Sequence, residues 1–146
     1  MDYFTADKVG RSVVLRLDQG DLVLESIEKV LEETGIQQGV VISGIGTLDQ
    51  SVLHMVTTTG YPAVEYFDKK VDQPLEVVSI QGYIADGMPH LHMMISDRNG
   101  ALGGHLEHGC RTLYLCEIVI MEYLDIDVQR MMDKKQINKL VRKERP

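Results

Sequence analysis

Pro89-His90-Leu91-His92-Met93-Met94-Ile95-Ser96-Asp97-Arg98-Asn99-Gly100-Ala101-Leu102-Gly103-Gly104-His105-Leu106 reads as a β-hairpin. Residues 90–96 and 101–106 are extended runs, and Asp97-Arg98-Asn99-Gly100 has the composition of a tight turn. With Arg98-Asn99 as a two-residue loop, paired residue numbers sum to 197 and His105 faces His92. His90 and His92 share one face of their strand, about 6.6 Å apart. Cross-strand partners stand about 5 Å apart and diagonal neighbours about 7 Å apart, so three imidazoles converge. A three-residue loop without a bulge would instead send His105 to the far face. The same register puts Glu107 opposite His90. Gly103 and Gly104 are expected opposite Met94 and Ile95, where they remove side chains beside the histidines.

Outward from this hairpin the chain keeps the same style. Residues 12–17, 39–45, 51–57, 64–71, 75–84 and 113–123 are further strand candidates bounded by turn residues, giving seven or eight in all. Residues 22–34 break the pattern. Val23, Ile27, Val30 and Leu31 recur at helical spacing over a charged face, with Asp21 expected to cap the helix and Gly35 to stop it. The connections are too short for crossover helices, so the expected fold is α+β, a largely antiparallel sheet with one main amphipathic helix. Residues 125–146 are expected to be a basic C-terminal arm that docks elsewhere, because Asp133, Gln136 and Asn138 interrupt any apolar spacing for a helix there.

The 146 residues, 44% hydrophobic and 25% charged, suit one globular domain spanning 1–146. No apolar run reaches the roughly 20 residues of a spanning helix and the N-terminus lacks a signal pattern, so a cytoplasmic protein without a membrane role is expected. Cys110 and Cys116 are the only cysteines and are read as reduced, Cys116 in the core and Cys110 as an incidental thiol in a turn. Residues 1–129 carry 8 Lys and Arg against 20 Asp and Glu, whereas 130–146 carry 7 against 2. An acidic body repels a duplex, so a DNA role would rest on Arg130, Lys134, Lys135, Lys139, Arg142, Lys143 and Arg145 alone.

Three neutral imidazoles without a thiolate suit a divalent transition ion, zinc first, with iron or nickel as alternatives. His90, His92 and His105 are the expected ligands, leaving a coordination position open for water or a small ligand. Glu107 is placed to orient a ligand or to serve as a fourth one. His108 points away, and His54, alone between Leu53 and Met55, reads as an outward or satisfied histidine.

At these residues the chain resembles the PPC (plant and prokaryote conserved) domain family in its stand-alone prokaryotic form. Arg16-Leu17, the helix, residues 41–48, residues 75–82, His90-Leu91-His92, Gly103-Gly104-His105-Leu106 and residues 117–120 carry the resemblance in the family's order. It implies a homotrimer, three metal-ligating histidines, and a DNA-binding label inherited partly from plant members with a separate AT-hook. No Arg-Gly-Arg-Pro core occurs here, and Lys143-Glu144-Arg145-Pro146 is not one.

Two further charged residues sit among apolar neighbours. Glu117 either backs the histidines, pairs with Arg16, or serves with Glu107 as a candidate catalytic base; Arg16 is either its partner or an anion-binding residue for a small ligand. Two function classes follow: a trimeric binding protein, or a metal-assisted enzyme acting on a small substrate.

Overall fold

The computed structural model describes residues 1–143; Arg145, counted above among the basic residues of the tail, lies outside them. The elements run β1 (Val9–Asp18), α1 (Val23–Thr34), β2 (Gln38–Val56), β3 (Glu65–Ala85), β4 (Met88–Asp97), β5 (Gly100–Leu106), β6 (Arg111–Tyr123), β7 (Val128–Met132) and β8 (Asn138–Arg142). The first six strands form one antiparallel sheet in the order β1-β6-β2-β3-β4-β5, and β5 pairs again with β2. Strands β2, β3, β4 and β5 therefore form a closed circuit, from which β6 and β1 extend. The architecture is α+β, as the sequence predicts.

The strands are longer than the sequence signals them. Segments 39–45 and 51–57 belong to one strand, β2, and 64–71 and 75–84 to one strand, β3. A register shift between Leu48 and Gln50 lets β2 continue through the polar stretch that reads as a break.

Helix α1 buries Val23, Leu24, Ile27 and Leu31 in a core shared with Leu17, Ile80, Leu91, Met93, Ile118 and Ile120. Each fully buried aliphatic side chain stabilises the fold by about 1.5–3 kcal/mol. Asp21 does not cap the helix. Its Oδ2 accepts the Asp18 N–H at 2.8 Å, and the capping position falls to Leu22, which has no side-chain acceptor. Gly35 ends the helix as expected, left-handed at φ 69°.

The helix covers only one face. On the other, Val14, Ile45, Val78, Met94 and Leu115 are 45–75% exposed. The segment after residue 124 is neither a helix nor a loose arm. Strands β7 and β8 form a hairpin whose turn is set by Asp133, its Oδ1 accepting the N–H groups of Lys135 (2.8 Å) and Ile137 (3.0 Å). The hairpin docks on its own chain: Val128 is buried, Gln38 Nε2 donates to its carbonyl at 2.7 Å, and Lys143 pairs with Asp86. No helix among the described residues is long and apolar enough to cross a membrane.

Candidate metal centre

The site begins with the turn between β4 and β5. Asp97 Oδ1 accepts the N–H groups of Asn99 (2.7 Å) and Gly100 (3.1 Å), which closes the two-residue loop and holds the Asp97 carboxyl below its usual range. From there the register runs Asp97↔Gly100 to His92↔His105. Gly104 faces Met93 and Ile95 faces Leu102, so the expected Gly104–Ile95 pairing is corrected by two residues in β4.

At its far end β5 is captured by β2, which sets His54 against His105 and Leu53 against Leu106. Gly104 permits this approach, since a Cβ there would lie 2.7 Å from the His54 carbonyl oxygen. The cross-strand row is then Phe67, His54, His105, His92 and Gln81, all on one face. His54 is thus one of the clustered imidazoles and does not point outward, while Glu107 satisfies its Nδ1, the other half of the sequence reading. It is 51 positions from His105 in the chain, and no local pattern reports that pairing.

Four imidazoles converge. Ring centroids are 4.6 Å apart for His54 and His105, 4.8 Å for His90 and His105, 5.6 Å for His92 and His105, and 5.5 Å for His90 and His92. The Nε2 atoms of His90 and His92 are 3.4 Å apart. Glu107 stands behind the cluster: its Oε1 is 2.5 Å from His54 Nδ1 and 3.1 Å from His105 Nδ1. The first is a short hydrogen bond. The second is an ion-pair contact that lacks hydrogen-bond alignment. Glu107 is not opposite His90, because its N–H already bonds the Val52 carbonyl at 3.2 Å and the chain has turned from β4 to β2. On the far side of His54, Glu65 Oε1 lies 3.8 Å from Nε2.

Burial, then the nearby Arg130 charge, then the other imidazoles push the His90 pKa down to about 4. Burial and His54 lower that of His105, with Glu107 opposing. His90 and His105 therefore favour the neutral ring, with a lone pair to offer. A cavity of about 600 Å³ opens onto it, lined by His54, His90, His92 and His105 together with Met55, Val56, Met94 and Gly103.

Other candidates lie elsewhere. Glu117 is exposed on the open sheet face, in register with Arg16 and Ile45, on a strand separated from β4 by β2 and β3. Arg16 is largely exposed and its ion pair is to Asp18 at 3.0 Å, not to Glu117. Neither reaches the histidines. His108 bonds Glu28 at 2.9 Å, outside the site. Cys110, beside its turn, is fully buried like Cys116, and burial pushes both thiols up to about 11.

The fold and the cluster define a class of small antiparallel α+β domain that carries imidazoles on the open face of its sheet. The chain belongs to the Plants and Prokaryotes Conserved (PCC) domain family, whose model matches residues 4–124. A metal-containing protein of Archaeoglobus fulgidus is 26% identical, with a TM-score of 0.77 over 93% of this chain and 95% of that one. A plant- and prokaryote-conserved protein of Pyrococcus horikoshii is 21% identical, TM-score 0.78, over 99% of both chains. A Bacteroides thetaiotaomicron structure provisionally described as DNA-binding shares the fold at 17% identity, TM-score 0.77, over 94% of this chain and 96% of that one. The bifunctional protein GlmU of Synechococcus sp. is 29% identical over 120 residues, 82% of this chain but only 18% of that protein's length.

Proposed function

We propose that this chain is a metal-binding protein that holds one divalent transition ion, zinc first, on His90, His92 and His105. The observation that carries the reading is the 3.4 Å separation of the His90 and His92 Nε2 atoms. Two nitrogens bound at about 2.05 Å to a tetrahedral ion stand about 3.3 Å apart, so this spacing suits two ligands of one ion. Among the described residues, the group of three whose donor atoms all lie within 4.8 Å of one another is His54, His105 and Glu107. At 2.5 Å, however, His54 Nδ1 and Glu107 Oε1 are too close to be two ligands of one ion and are better read as hydrogen-bonded. Glu107 Oε1 also stands 3.1 Å from His105 Nδ1 as an ion-pair contact, which leaves Nε2 as the ligand atom of that ring with a carboxylate behind it. The metal-containing relative of Archaeoglobus fulgidus supports the same reading. Three protein ligands leave a position open toward the cavity, where a small ligand or an activated water would sit.

In this reading the chain works as a homotrimer. The exposed Val14, Ile45, Val78, Met94 and Leu115 share the open sheet face with His90 and His92, and an apolar face of that kind favours burial against further copies. Elemental analysis of protein purified without chelator tests the ion: about one zinc per chain is expected, lost in His92→Ala, and a wild type that neither retains nor rebinds a transition metal refutes the reading. Light scattering tests the assembly, with a mass about three times the 16.4 kDa chain expected and a concentration-independent monomer overturning it.

A further inference from the structure

Where β3 passes the histidines it carries one extra residue. Val77 faces Ile95, the next pair is Ser79 with Met94, and Gln81 faces His92, so Val78 is a bulge. Without the bulge Val78 would face Met94 and Ile80 would face His92. The insertion therefore keeps Ile80 in the core and turns Ser79 and Gln81 onto the histidine face. A Cβ on Gly82 would collide with the His90 carbonyl oxygen, so the two strands run close together beside Gln81. Cross-strand Cβ atoms stand about 5 Å apart, which brings the Gln81 side chain alongside the His92 ring.

Ser79 and Gln81 both line the histidine cavity, and apart from the imidazoles they are its polar side chains. Neither side chain makes a hydrogen bond among the described residues. The other glutamines of β2 and β3 are engaged: Gln38 donates to the Val128 carbonyl at 2.7 Å, Gln50 to that of Gly109 at 2.8 Å, and Gln73 to Asp97 Oδ2 at 3.0 Å. Gln81 keeps its donor and its acceptor for the cavity. No Lys, Arg, Asp or Glu lines that cavity, so its walls offer a charged ligand no ionic partner. A carboxamide presents N–H and C=O side by side, and its full complement is a second amide, which accepts from the one and donates to the other. A carboxylate can only accept, and leaves the Gln81 oxygen unmatched.

We propose that Gln81 is the specificity-determining residue of the histidine cavity, pairing its carboxamide with the amide group of a small neutral ligand whose flat ring lies against Met55, Val56 and Met94. Methionine side chains adapt to a ring face, and Gly103, opposite Met94, leaves room for one. A cavity of about 600 Å³ accommodates a ligand of this size. The assignment rests on the histidine cavity being a ligand site, but not on an ion being bound there.

Calorimetric titration with benzamide and with benzoate, which has the same shape and a negative charge, tests it on chain stripped of metal and on chain loaded with zinc. Metal-free wild type is expected to bind benzamide with a dissociation constant of about 1 mM or below, and benzoate at least tenfold more weakly. Gln81→Leu should weaken benzamide at least tenfold with or without zinc, while zinc content and melting temperature stay unchanged. Gln81→Arg should invert the preference toward benzoate, a change that a merely structural role would not produce. Equal binding of amide and acid by the metal-free wild type overturns the assignment without reference to any variant. So does benzamide binding that Gln81→Leu leaves undiminished. If the wild type takes up no zinc while benzamide binding still depends on Gln81, the metal reading fails and this one stands. The converse pattern, zinc bound without benzamide, overturns the role of Gln81 and leaves the metal reading in place.

Discussion

Replacing Gly104 by alanine, with Gly103→Ala beside it, tests whether the close approach of β5 to β2 holds the histidines in place. A Cβ on Gly104 would lie 2.7 Å from the His54 carbonyl oxygen and 3.3 Å from Leu53 Cβ, whereas one on Gly103 finds nothing nearer than the Met93 oxygen at 3.5 Å. The Gly104 contact is about 0.7 Å short of ordinary packing, and the obstructing atom is backbone, so the strands must separate. Overpacking of this kind costs about 1–3 kcal/mol. The alanine also restricts the unfolded chain, which offsets about 0.4–1 kcal/mol of that. A net loss of about 1–2 kcal/mol corresponds to a melting temperature lower by about 3–7 °C for a chain of this size. Gly103→Ala carries only the favourable contribution and should be neutral or slightly stabilising. Thermal unfolding at fixed chain concentration measures both, and zinc content reads the site, since a displaced β5 carries His105 away from His90 and His92. Gly104→Ala that melts with Gly103→Ala and keeps a full complement of ion would refute the reasoning.

Three further outcomes are expected. Glu107→Gln should weaken zinc affinity about 10–100-fold with little change in melting temperature, by competition against a chelating dye; an unaltered affinity removes Glu107 from the site. For metal-free protein, His90 titrates near 4 when folded and about 6.5 when unfolded, so its contribution to stability is complete above pH 6.5 and is lost as pH falls toward 4. His90→Gln should flatten that slope in urea titrations, and an identical slope counts against the burial of His90. Duplex DNA should bind weakly, with strong salt dependence and no sequence preference, because Lys135, Lys139, Arg142 and Lys143 already have partners on this chain. Tight binding of one A·T-rich duplex at physiological salt would contradict this.

What the sequence discloses about this site follows the range of the forces that build it. The β4–β5 register is written into four consecutive residues, since Asp97 folds its own turn, and three of the four histidines fall into place from parity alone. Asp133 makes the same side-chain-to-backbone turn in the C-terminal hairpin. There the absence of a helical pattern reads as an absence of structure, because β7 and β8 are short and only Val128 is buried deeply. His54 joins the site through a two-residue pairing of β2 with β5, and Glu107 moves from the expected place opposite His90 for the same reason. Long-range pairing of that kind leaves no periodic trace in either segment. Arg16 and Glu117 look buried in sequence because their strands are apolar, yet one face of those strands is uncovered in the single chain.

Strand β3 flanks the histidines twice, through Phe67 beside His54 and through Gln81 beside His92. The strands around the cluster thus form a ring of fixed circumference, which cannot widen at one seam without straining the rest. Its shortest seam is β2 with β5, held by Leu53↔Leu106 and His54↔His105, while the others run to six pairs or more. That seam is where the ring has the fewest pairs to break. Exchange of whatever the imidazoles hold would be timed by the fraying of two residue pairs, and amide hydrogen exchange at Leu53 and Leu106 would be its clock.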